Sequence, residues 1–159
     1  MSAAPIVQYA DLNNKIVFSV PGTIAKVSIT LDQAQVNNLT TDPILLIPSP
    51  GPGKVIVPLW LTEMYNFGTL QFTVAGASMT INTENGINSW LVVPTGGCID
   101  QTASQFAFVA PTTQGPNLLT DYENQGISIQ NPGVNFLGGI GCTIELELAY
   151  YVAGLPQTL

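Results

Sequence analysis

Histidine and arginine are absent from all 159 residues, and lysine occurs only as Lys15, Lys26 and Lys54. Without histidine there is no Ser-His or Cys-His nucleophilic pair, and the commonest general base is missing. Three cations face ten carboxylates, for a net charge of −7. No basic patch able to neutralise phosphates can be assembled from them, which argues against a nucleic-acid partner. Anionic membrane surfaces repel such a chain for the same reason. Charge of either sign is scarce, at 8% of residues against roughly a quarter in an average soluble domain. Cysteine is nearly absent too. Cys98 and Cys142 are expected as two buried thiols rather than a structural bridge, given a reducing compartment. No apolar run reaches the roughly 18–20 residues that cross a bilayer. The opening MSAAPIVQYADLNNK lacks a charged segment followed by an apolar one, so the expectation is synthesis and assembly in a cytoplasm.

What the chain does contain is turn formers and β formers. Fifteen glycines and twelve prolines punctuate it at short intervals. Between them lie strand-length runs at 15–20, 24–30, 43–48, 54–66, 70–75, 78–83, 89–94, 105–110, 127–130 and 142–152, most of them rich in Val, Ile, Thr, Phe or Tyr. In the last run Ile144, Leu146, Leu148, Tyr150 and Val152 share one face, and Thr143, Glu145, Glu147, Ala149 and Tyr151 the other. That alternation predicts a half-buried antiparallel strand. Val27, Ile29 and Leu31 alternate with Lys26, Ser28 and Thr30 in the same way. The Asn85-Gly86 pair predicts a hairpin joining 78–83 to 89–94. Thr30-Leu31-Asp32-Gln33 reads as a capping box that opens a short helical connector near residues 31–38. The sum predicts one all-β domain over residues 1–159, an antiparallel, jelly-roll-like β-sandwich with an extended N-terminal segment. An immunoglobulin-type sandwich is the second choice, although the usual Cys…Trp…Cys spacing is missing.

Two runs are apolar on both faces. In 54–61, Val55, Val57, Leu59 and Leu61 define one side while Ile56 and Trp60 occupy the other, and Pro58 places the run at a sheet edge or a bulge. In 105–110, Phe106 and Phe108 alternate with Ala107 and Val109. A sheet in a two-layer sandwich buries one face only, so Ile56, Trp60, Phe106 and Phe108 are the candidate subunit interface. Chemistry is harder to find. Asp121, Glu123 and Asn124 could coordinate a hard cation, but their spacing matches no EF-hand loop and a solvated surface loop is the plainer reading. Glu145 and Glu147 lie about 7 Å apart on one strand face, a separation some glycosidase carboxylates span, yet nothing implies a cleft. Pro48-Ser-Pro-Gly-Pro-Gly-Lys54 lacks the glycine and hydroxyl that a phosphate loop needs and reads as a stiff turn. The expectation is a protein without catalytic activity, metal or cofactor.

The stretch ITLDQAQVNNLTTDPILLIPSPGPGKVIVP (29–58) resembles a segment of small tailed-bacteriophage virion proteins. There a short helical connector precedes Leu-Thr-Thr-x-Pro, an apolar strand, and a Pro-Gly turn ending in Gly-Lys-Val-Ile. The likeness continues through Phe67-Gly68-Thr69 and returns in GGIGCTIELELAYYVAGL (138–155). It implies a β-sandwich virion component, while the acidic, arginine-free composition argues against a DNA-facing place. Extended termini and strands apolar on both faces suit a capsid cement or decoration protein, and the leading expectation is a trimer on the capsid exterior that clamps the major capsid protein, assembled in the host cytoplasm. The alternative is a tail fibre or receptor-binding module, in which Trp90, Tyr122 or Tyr151 anchors a ligand.

Overall fold

The computed structural model describes residues 23–74, 78–111 and 118–155. The expected strand at 15–20 and the extended N-terminal segment lie outside the described residues. Strands follow the runs of β-branched and aromatic residues: β1 (Ala25–Asp32), β2 (Ile44–Ile47), β3 (Lys54–Asn66), β4 (Phe72–Thr73), β5 (Met79–Thr83), β6 (Ser89–Val93), β7 (Gln105–Val109), β8 (Ile127–Gln130), β9 (Leu137–Gly138) and β10 (Thr143–Gly154). One helical turn and a half, α1 (Gln33–Asn38), separates β1 from β2.

Two four-stranded antiparallel sheets, ordered β1-β10-β3-β7 and β2-β8-β5-β6, form the layers, and β4 with β9 makes a two-stranded patch. Sequence neighbours are split between sheets, so the chain crosses repeatedly from one layer to the other, as expected of a jelly-roll-like sandwich. Ile144, Leu146 and Leu148 of β10 face the interior, where they meet Leu61 and Tyr65 of β3, Ile81 of β5, and Ile127 and Ile129 of β8 in one core. Each such side chain contributes about 1.5–3 kcal/mol by burial. The expected inner faces of β1 and of β10 through Leu148 hold, because strict alternation leaves one register that buries the apolar set.

Two local expectations need correction. The N-cap of α1 is Asp32, whose carboxylate accepts from the Gln35 N–H at 2.9 Å while the Gln35 side chain accepts from the Asp32 N–H. The box therefore sits two residues later than Thr30–Gln33, because Thr30 and Leu31 stay paired with Glu145 and Ile144. Residues 54–61 do not present one continuous face. Tyr150 pairs with Pro58 but Ala149 pairs with Trp60, so Leu59 is an extra residue and the strand changes face there. Ile56 and Pro58 point inward before the bulge, and Leu61, Glu63 and Tyr65 after it. The expected edge or bulge at Pro58 does occur: the bulge lies at the next residue, and β7 pairs only with residues 61–65. The Pro58 half thus has one strand neighbour, which tolerates a missing N–H donor.

The hairpin at Asn85-Gly86 forms as expected, with Gly86 at φ +73° and its N–H donating to the Thr83 carbonyl at 2.7 Å. At the opposite end, residues 67–72 lie against 138–142. The Thr69 N–H donates to the Ile140 carbonyl at 2.8 Å and the Gly139 N–H to the Gln71 carbonyl at 3.1 Å. Gly68 permits that approach, since a Cβ there would fall inside the Gly141 backbone. Gly68→Ala is expected to lower unfolding stability by about 1–3 kcal/mol in a urea titration. Gly96→Ala, which has nothing within 4 Å of the added Cβ, should change it little.

Candidate functional site

The outward faces of β1, β10, β3 and β7 form the most distinctive surface. Lys26, Ser28 and Thr30 come from β1, Glu145 and Glu147 from β10, Thr62 and Met64 from β3, and Phe106 and Phe108 from β7. Register places Met64 opposite Phe106 and Thr62 opposite Phe108. Phe106 and Phe108 are each 64% exposed and Met64 45%. The acidic side of this face is already engaged: Lys26 Nζ lies 2.7 Å from Glu147 Oε1, and Asn66 Nδ2 donates to Glu145 Oε1 at 2.9 Å. A shallow groove runs between Ile29, Thr62, Phe106 and the two glutamates. It is open strand surface, without an oriented acid or base pair.

Of the four candidate interface residues, the structure places only Phe106 and Phe108 together in the open. Ile56 is a core residue at 2% exposure, put there by the bulge, and the folded chain does not offer it to a partner. Trp60 is half-buried opposite Ala149.

A buried polar cluster on the inner side of the same sheet was not foreseen. Glu63 is 0% exposed, and neither of its carboxylate oxygens has a hydrogen bond of good geometry. Burial pushes its pKa from 4.5 up to about 7, with the Cys98 thiol as the polar neighbour pulling weakly the other way. Cys98 is itself pushed up to about 12, first by burial and then by the charges of Glu63 and Asp100. Burial thus favours its neutral thiol form. Nearby, the Tyr65 hydroxyl lies 3.1 Å from the Cys142 sulfur, which also accepts from the Gly68 N–H at 3.2 Å. Burial raises the Tyr65 pKa, with Cys142 next in effect. Both cysteines are free and buried. Glu63 was legible in principle: once the strand is known to face inward at Leu61 and Tyr65, the residue midway between them must do so too.

The other candidates are structural. Glu123 Oε1 accepts from the Gly53 N–H at 2.8 Å, and Asn124 Oδ1 from the Gly51 N–H at 2.9 Å. These two side chains hold the Pro-Gly turn, so the turn's amides are not directed at an anion and Glu123 is not directed at a cation. No cluster of three metal-ligating side chains occurs among the described residues. Trp90 and Tyr122 are half-buried, their ring centroids 5.1 Å apart.

No family model and no curated protein matches the chain. Among solved structures, a chain of the cyanophage Pam1 capsid asymmetric unit is similar at 14% identity and a TM-score of 0.44, over 98% of this chain and 100% of that one. A likeness of that size adds nothing to the strand order already described.

Proposed function

We propose that this chain is a virion structural protein of the capsid cement or decoration type, acting through protein contacts and not through catalysis. The observation that carries the reading is the outward face of β3 and β7, where Met64, Phe106 and Phe108 stand exposed on a surface poor in ions. Contiguous exposed apolar side chains of that size mark contact surfaces on soluble proteins. The sequence likeness of residues 29–58 to phage virion proteins supplies the setting. In the finer form of the proposal the protein assembles in the host cytoplasm as a trimer, sits on the capsid exterior and braces the major capsid protein, with no cofactor. Cryo-electron microscopy of purified virions tests this. Density repeating on the capsid lattice is the expected result, and density confined to the tail would replace the proposal with the receptor-binding alternative.

The non-catalytic part has its own test. Replacing Glu145 and Glu147 together by glutamine is expected to change stability by less than about 1 kcal/mol, since exposed ion pairs contribute little. Particle incorporation should be unchanged. Loss of a defined glycan-hydrolysing activity in that double variant would overturn the reading.

A further inference from the structure

We infer that β7 is a docking edge for a second copy of this chain, joined antiparallel about a two-fold axis at Ala107. The inference concerns a chain-to-chain contact and holds wherever in a virion the protein sits.

β7 ends its sheet: β3 pairs with it on one side, and among the described residues no strand pairs with it on the other. Its sequence, Gln105-Phe-Ala-Phe-Val109, reads nearly the same in both directions about Ala107. An antiparallel pair centred there sets Phe106 of each copy opposite Phe108 of the other, on the outward face where both rings are exposed. Cross-strand aromatic pairs of this kind stabilise sheets. Natural proteins usually protect an open edge with a lysine, a proline or an inward charge. β7 has none, and its first proline beyond the strand is Pro111.

Charge selects the occupant. The chain carries −7 overall, yet no charged residue occurs from Gln101 to Thr120. β7 therefore lies well inside an uncharged stretch of an acidic protein, where two copies meet without opposing carboxylates. The exposed glutamates of β10 are two strands away. Across the joined sheets, β10 and its mate would be five strand spacings apart, roughly 24 Å. That exceeds the Debye length of about 8 Å at physiological salt, so their repulsion is screened. A strongly basic partner, in contrast, would find no charge on β7 to pair with. The contact closes on itself at two chains, and in a trimer-based shell it would join one trimer to the next.

Ala107→Cys tests the geometry. Directly opposite residues of an antiparallel pair have Cα atoms about 4.5–5.5 Å apart, within the span of a disulfide. Under mild oxidation with oxidised glutathione, the purified variant is expected to form a reducible two-chain species at least tenfold faster than Ala103→Cys. In the proposed register position 103 lies more than roughly 20 Å from its mate. Because Ala107 neighbours Glu63 in register, a mixture of Phe106→Cys and Phe108→Cys proteins gives a second reading, and it should link faster than either alone. Sedimentation should give an even multiple of the chain mass at micromolar concentration, two chains alone or six where trimers are joined, and Phe106→Ser/Phe108→Ser should weaken association at least tenfold. A wild-type monomer throughout, a trimer with no link at position 107, or linkage at 103 as fast as at 107 would each overturn the inference.

Discussion

Leu146→Asp is expected to abolish folding, while Glu147→Ala one position along leaves the fold intact. Leu146 is paired with Ile29 on one side and Glu63 on the other, in the middle of its sheet and facing the core. The substitution removes about 1.5–3 kcal/mol of burial and forces a carboxylate into an apolar site with no cation near it. Glu63 stands opposite in register, so the new charge would also meet another acid. A domain's total stability is only about 5–15 kcal/mol, and the combined loss takes most or all of it. Glu147 faces outward, and its pair with Lys26 is largely solvated. Far-ultraviolet circular dichroism and thermal melts of both variants check the outcome. Normal folding of Leu146→Asp beside collapse of Glu147→Ala would mean that β10 is out of register by one residue.

Glu63→Gln is expected to stabilise the protein in neutral and alkaline solution and to flatten its pH dependence. The folded chain holds the Glu63 proton up to about pH 7, whereas the unfolded chain releases it near the ordinary 4.5. Between those values the native state binds more protons than the unfolded state, so stability falls as pH rises. Below about 4.5 both states are protonated and Glu63 costs nothing in this sense. Above about 7 the folded state carries the whole burden of a buried carboxylate, on the order of 3 kcal/mol. Glutamine keeps the shape and removes the charge. Urea unfolding from pH 5 to 8 should show the wild type losing stability and the variant changing far less. Parallel curves for the two proteins would mean that Glu63 is solvated in the folded state.

Both expectations rest on which way a strand faces, and sequence and tertiary structure share that decision unevenly. Alternation in β1 and β10 was enough to assign their inner faces, because only one register buries Ile29, Leu31, Ile144, Leu146 and Leu148 together. Turn chemistry was likewise local: Asn85-Gly86 marks a hairpin, and the Pro-Gly run before Lys54 marks a turn, without reference to the rest of the chain. The absence of histidine and arginine constrained the available chemistry before any fold was considered. β3 was different. A single extra residue at Leu59, held against β10, moved Ile56 into the core and carried Glu63 in with Leu61 and Tyr65. Pro58 pointed to an edge or a bulge, but which residue became the extra one depends on the partner strand's pairing. In the same way, Phe106 and Phe108 read as two-sided apolar sequence, and only the sheet order made them an exposed edge. Side-chain alternation is a property of one strand, but exposure belongs to its neighbours, and long-range pairing alone decides which neighbours a strand has.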